Sequence, residues 1–125
     1  MPETLSIGQV AERTGLTAYA LRSYESESLL AAPIGRSGGR RAYTADDVEW
    51  IQLCTILRAS GMPVSVLRSY TELVRQGDGN ERERLALLRR HGEAVLAQVE
   101  ELSRCLDIVS FKVGVYEDLL ETATA

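Results

Sequence analysis

The chain has 125 residues and a formal net charge of −4, and 45% of its residues are hydrophobic. This length allows one domain with an extension or two small units, and the hydrophobic content excludes a wholly disordered chain. Cys54 and Cys105 lack metal-binding spacing, and no apolar run approaches the ~18 residues that a membrane span needs. We therefore expect a cytoplasmic protein that does not associate with membranes, and no pattern calls for a metal or another cofactor.

The first two elements are predicted to form a helix-turn-helix. Ser6 and Gln9 have the spacing of a capping box, which marks the start of a helix, and Gly15 is suited to end it. Thr17 is predicted to cap a second helix with apolar residues at helical spacing. Two short helices joined by a turn of three or four residues are typical of this motif. Since many small bundles also contain such a pair, the motif alone does not fix a function.

An arginine-rich hairpin is predicted over residues 36–43, with Gly38 and Gly39 at its tip. Residues 13–41 contain five arginines and two glutamates, a local excess of three positive charges, whereas the chain from Gly77 onward has six basic and ten acidic residues. A cationic hairpin beside a helix-turn-helix can clamp DNA phosphates. The basic end could therefore face DNA, although such charge asymmetry is also common by chance.

Two further helices follow the hairpin, and a breaker ends this part of the chain. Thr44 is predicted to cap the third helix, with Asp46 and Asp47 in the first turn, where the helix dipole favours acids. Pro63 is suited to the first turn of the fourth helix. The segment 77–80 contains two glycines, an aspartate and an asparagine, which indicates the domain boundary.

The predicted domains are residues 1–76 and residues 77–125. From Leu85 to Leu120, apolar residues recur in alternating steps of three and four, which is the signature of a coiled coil. Such a seam would be exposed on a single helix, so it needs a partner, and the simplest is a second copy of this chain. The predicted dimerisation residues are Leu85, Leu88, Val95, Val99, Leu102, Leu106 and Val109.

The last third of this segment carries a second apolar stripe beside the seam. Its members are Ile108, Phe111, Val115 and Leu119. A helix that is apolar on two sides is usually buried on two sides. We therefore expect residues 106–120 to pack against more than one neighbour, or to break away as a short final helix; a small ligand pocket at the dimer is the less favoured alternative.

Several segments, in matching order and spacing, resemble the MerR family of bacterial transcription regulators. They are Ile7–Ala11, Thr14–Leu16, Leu21-Arg22, Tyr24-Glu25, Leu29-Leu30, Pro33, Gly39, Arg41, Tyr43, Asp46-Asp47 and Arg58–Met62. The closing Lys112, Val113 and Tyr116 resemble the tail of small family members that lack a separate effector domain. The resemblance implies an all-α protein with a small β-hairpin wing, in which a winged helix-turn-helix precedes a long helix. That helix would pair antiparallel with its twin in a homodimer.

The resemblance also implies which residues contact DNA. Thr17 to Glu25 would be the recognition helix, with Arg22 in the major groove and Tyr24 at the DNA backbone. Arg41 and Tyr43 match wing positions that grip phosphates. Three further candidates are Tyr19, which could contact bases or phosphates, Arg36, which could contact phosphates or remain solvated, and Arg40, where an aromatic residue is common in the family. Thr17 itself completes the set of expected DNA-binding residues.

Family members bind a pseudo-palindrome between promoter elements that are spaced too far apart. The resemblance implies that the activated dimer kinks and undertwists this double-stranded DNA and so realigns the elements for RNA polymerase. The sequence identifies neither a small-molecule inducer nor the operator, and activation and repression both remain open.

Two alternatives to this function remain at this point. One is a DNA-architectural or excisionase-like factor without effector control, and the other is a coiled-coil adaptor whose N-terminal bundle binds protein. Cys54 could be a redox sensor, although a small core residue is the favoured interpretation. An enzyme is not expected, because His91 is the only histidine and no nucleophile–base arrangement is apparent.

Overall fold

The computed structural model describes residues 3–124 and contains five helices and one hairpin. In chain order the elements are α1 Ile7–Thr14, α2 Ala18–Ser26, β1 Gly35–Ser37, β2 Arg40–Ala42, α3 Ala45–Ala59, α4 Val64–Arg75 and α5 Glu81–Thr124. The predicted fold class, a helical protein with a small β-hairpin wing and a long C-terminal helix, is confirmed.

The helix starts lie where local side chains can satisfy free backbone amides. Both hydrogen bonds of the predicted capping box are present, because the Ser6 hydroxyl accepts from the Gln9 amide and the Gln9 side chain accepts from the Ser6 amide. Gly15 ends α1 with a φ of 76°, a conformation that favours glycine. The Thr17 hydroxyl accepts from the Ala20 amide at 3.0 Å and so caps α2.

Two clusters of buried side chains hold these elements together, and α3 contributes to both. The first contains Val10, Leu21, Leu30, Tyr43, Val48 and Ile51, and the second contains Leu29, Cys54, Leu57, Met62 and Leu67. Trp50 packs against both clusters: its indole N–H donates to the Leu29 carbonyl at 2.7 Å, and its ring stacks on Tyr70. The helix-turn-helix is thereby fixed on α3 and α4.

The wing is a two-stranded antiparallel hairpin in which Arg36 lies opposite Arg41. Gly38 and Gly39 form its two-residue turn with φ values of 60° and 80°. Tight hairpin turns of this kind need positive φ at both central residues, which glycine adopts without strain. Beyond β2, the backbone of Tyr43 pairs with that of Leu5 through two hydrogen bonds of 2.8 Å, which ties the base of the wing to the segment before α1.

The first compact unit extends to Leu88, twelve residues beyond the predicted boundary at residue 76. The Arg84 guanidinium donates to the Asn80 side chain and to the carbonyls of Leu73 and Gly77, and Leu87 packs against the second cluster. The first two turns of α5 therefore belong to the first unit. The turn at residues 77–80 marks a helix break but not a break in packing.

The helix α5 continues without interruption from Glu81 to Thr124, so the predicted alternative of a separate short final helix is wrong. No residue of α5 is buried in the single chain. The predicted seam is largely exposed, with Leu102 at 67%, and the second stripe is equally open, with Phe111 at 70%. Within residues 3–124, no helix is long and apolar enough to cross a membrane.

Candidate nucleic-acid interface

The N-terminus of α1, the helix α2 and the wing line a cleft of about 410 Å³. Four guanidinium groups border it, from Arg22 on α2 and from Arg36, Arg40 and Arg41 on the wing. The start of α1 contributes Ser6, Ile7 and Gly8 to the wall. Free amides at a helix N-terminus and clustered arginines both favour anions. The cleft is therefore suited to a phosphate backbone.

The exposed face of α2 carries two of the predicted DNA-binding side chains. Tyr19 is 78% exposed and Arg22 is also exposed. Because the two residues are three apart on a helix, their side chains are neighbours on its surface. Thr17 is exposed as well, and it serves as the N-cap of α2 while its hydroxyl hydrogen remains able to donate. All three side chains are therefore accessible to a DNA groove.

Tyr24 lies partly inside the protein. Its ring packs against both buried clusters, and its hydroxyl lies 3.3 Å from the Thr55 hydroxyl on α3. Tyr24 thus helps to hold α2 on α3. A contact with the DNA backbone stays a prediction, and it would have to share the hydroxyl with Thr55.

Tyr43, for which the resemblance implies a phosphate contact, lies inside the protein. Its side chain is 0% exposed and belongs to the first cluster, and its hydroxyl has no hydrogen-bond partner among the described residues. Burial raises the pKa of this phenol, an effect to which nearby Glu25 adds. Tyr43 therefore anchors the base of the wing in the core, and a phosphate contact through its hydroxyl stays a prediction.

A Tyr43→Phe substitution is expected to leave DNA affinity within about twofold of wild type. It should also raise the free energy of unfolding by roughly 1 kcal/mol, because a buried hydroxyl without a partner is unfavourable. Urea unfolding followed by circular dichroism measures the stability, and fluorescence anisotropy with a labelled DNA duplex measures the affinity. A tenfold loss of affinity at unchanged stability would support the predicted phosphate contact of the Tyr43 hydroxyl.

Arg41 forms an ion pair with Glu25, for which the sequence predicted no role in binding or in holding the wing. The Arg41 Nε atom donates to the Glu25 Oε1 atom at 2.7 Å, and this hydrogen bond raises the pKa of Arg41. The pair joins the wing to α2. Arg36 and Arg40 are exposed on the hairpin, so these two side chains are accessible to a ligand.

Cys54 is buried beneath Leu29, with its sulfur 3.7 Å from the Leu29 carbonyl oxygen. Desolvation raises its pKa to about 11. Since the thiolate is the reactive form, this environment counts against a redox sensor and supports a small core residue. Cys105 is the exposed cysteine. Among residues 3–124, no three side chains of His, Cys, Asp or Glu cluster closely enough to hold a metal ion.

Comparisons with known proteins agree on one family. The model of the MerR HTH family of regulatory proteins matches residues 5–74. An HTH-type transcriptional regulator of Haemophilus influenzae is 34% identical over 115 residues, which cover 91% of this chain and 84% of that protein.

Two crystal structures resemble the whole chain. One is HiNmlR, a MerR family regulator that lacks the sensor domain and is bound to promoter DNA. It has a TM-score of 0.83 and 34% sequence identity, and the match covers 92% of this chain and 91% of the HiNmlR chain. The other is a MerR family regulator from Listeria monocytogenes, with a TM-score of 0.88 and 29% identity over 96% of this chain and 91% of its own.

Proposed function

The chain belongs to the MerR family of DNA-binding transcriptional regulators, and from this premise we propose that it acts as a homodimer on a pseudo-palindromic operator in double-stranded promoter DNA. Its homologues are transcriptional regulators and not enzymes, and the same holds for this chain. The observation that carries the proposal is the cleft bordered by four arginines at the helix-turn-helix.

Within this proposal, the residues of the cleft divide the work of DNA binding. Arg22 and Tyr19 read base edges from α2, because they lie on its exposed face. Arg36, Arg40 and Arg41 on the wing contact phosphates, which fix the register on the duplex without reading its sequence. Thr17 and Tyr24 lie near the two ends of α2, where they support the helix and contact the DNA backbone.

The exposed seam of α5 supports the homodimer. Apolar residues in steps of three and four remain open in the single chain, and burying them against a second copy removes that surface from water. If the two copies pair about the middle of the seam, antiparallel pairing brings Arg89 of one copy near Glu117 of the other, because both residues flank the seam. Electrostatics therefore favours the antiparallel arrangement.

The dimer is proposed to act by distorting an overlong promoter spacer, so that RNA polymerase can engage both promoter elements. Bending a DNA site of about 20–30 base pairs takes on the order of 1–6 kcal/mol. A regulator can supply this free energy in one state and withhold it in another. This role places the protein in the cytoplasm, where promoter DNA is. An inducer, where one acts, would shift the balance between the two states.

In vitro transcription on the DNA upstream of the protein's own reading frame tests this mechanism. Adding the protein to RNA polymerase is expected to change transcription from the natural promoter. The effect should disappear when the spacer is shortened to the length that the polymerase prefers. The same change on both promoters would contradict spacer distortion, and DNA bending without any change in transcription would favour the architectural factor.

A further inference from the structure

We infer that Glu25 is a positioning residue for DNA binding, because its carboxylate holds Arg41 of the wing in a fixed place relative to Arg22 on α2. The inference rests on the proposed function. Glu25 lies three residues after Arg22 on the same helix, so the two side chains are neighbours on its surface. The helix α2 thus contributes both a residue proposed to read DNA and the residue that fixes the wing.

The wing needs this support because it is small and carries like charges side by side. Each of its strands has three residues, and an isolated hairpin of that size is marginally stable. Arg36 lies directly opposite Arg41 across the hairpin, and like charges in that arrangement destabilise the pairing. The Glu25 carboxylate offsets this repulsion and joins the strand to a helix that is anchored in the core.

The ion pair leaves the outer donors of Arg41 available. The Nε atom is bonded to Glu25, whereas the terminal nitrogens donate to no residue in the described part of the chain. The side chains of Arg41 and Glu25 are 26% and 30% exposed, so the pair is partly shielded from water. Because Nε is already bonded to Glu25, the guanidinium of Arg41 loses less side-chain freedom when its terminal nitrogens bind a phosphate.

Removing Glu25 separates this role from a purely electrostatic one. Glu25 places a negative charge near a cleft suited to anions, so charge alone predicts that Glu25→Ala binds DNA more tightly. The positioning role predicts the opposite, a loss of roughly fivefold to tenfold, the scale of one weakened charge-assisted hydrogen bond. Glu27→Ala is the matched control, because Glu27 is exposed, lies two residues further on and bonds Arg68 only through its backbone carbonyl.

The measurement is fluorescence anisotropy with a duplex that the wild-type protein selects from a randomised pool, over a range of salt concentrations. We expect Glu27→Ala to bind as tightly as wild type or more tightly. Glu25→Gln keeps an oxygen that can accept from Nε, so it should recover part of the loss. In the Arg41→Ala background, Glu25→Ala should have no further effect beyond about twofold, because the two residues act as one unit.

Two results would overturn the inference: Glu25→Ala binding as tightly as wild type or more tightly, or the same loss with and without Arg41. Circular dichroism of each variant verifies that the helices remain, and Glu25→Gln extends the comparison should the alanine variant be less stable. A wild-type protein that selects no duplex from the pool would instead overturn the proposed function and this inference with it. That outcome is visible before any variant is made.

Discussion

Replacing Arg22 by alanine is expected to weaken operator binding by about 1–3 kcal/mol per half-site, which is the worth of a good contact between arginine and a base. A dimer loses this contact twice, so the combined effect on affinity exceeds tenfold. Arg22 is exposed and lines the cleft while bonding to no described residue, and therefore its removal should leave the free energy of unfolding almost unchanged. Fluorescence anisotropy with the selected duplex measures the affinity.

The matched control for this variant is Arg13→Ala. Arg13 carries the same charge on α1, is exposed and does not line the cleft, so its loss should reduce affinity only slightly. A base contact also predicts relaxed specificity at one position of each half-site, whereas a phosphate contact predicts uniform weakening across sequences. Equal losses for both variants would show that net charge and not Arg22 governs binding.

The parts of the fold that the sequence predicted well are those determined by neighbouring residues. The capping box of Ser6 and Gln9 and the turn of Gly38 and Gly39 each follow from a few consecutive side chains and their backbone conformations. The uninterrupted α5 is a different case. Its second apolar stripe suggested a break, but nothing in residues 106–120 removes a backbone hydrogen bond, and the helix continues through them.

The features that the sequence did not reveal depend on residues far apart in the chain. A tyrosine at the end of a basic hairpin looks the same whether it points to DNA or inward, and packing against α1 and α3 decides that Tyr43 is buried. The pair of Glu25 and Arg41 joins positions sixteen residues apart. The first unit reaches Leu88 because Arg84 donates to the carbonyls of Leu73 in α4 and of Gly77 in the following turn, and because Leu87 packs against the second cluster. Local pattern carries none of this information.

These long-range features change how the interface is understood. The sequence predicts the wing as a cationic hairpin that can clamp phosphates, and the structure adds that Tyr43 fixes its base and Glu25 its middle. Its arginines are thereby held in register with α2. Rigid placement of both elements within one unit matters because a mechanism based on DNA deformation requires the protein to bend less easily than the duplex.

Replacing Leu102 by aspartate is expected to convert the proposed dimer into a monomer. Leu102 lies in the middle of the seam and is 67% exposed in the single chain, so a second copy is needed to bury it. Burying one leucine contributes about 1.5–3 kcal/mol, and the substitution removes this term from both copies while adding two charges to an apolar interface. Size-exclusion chromatography with light scattering measures the mass of the species.

The loss of the dimer should also weaken DNA binding, because two linked DNA-binding domains bind roughly 10²–10⁴ more tightly than one. Ala97→Asp is the matched control, since Ala97 is exposed and lies five residues earlier, outside the seam. That variant should stay dimeric and bind the selected duplex as wild type does. A Leu102→Asp protein that keeps the dimer mass and full affinity would show that the seam does not join the two copies, and the proposal of a twofold-symmetric operator would fail with it.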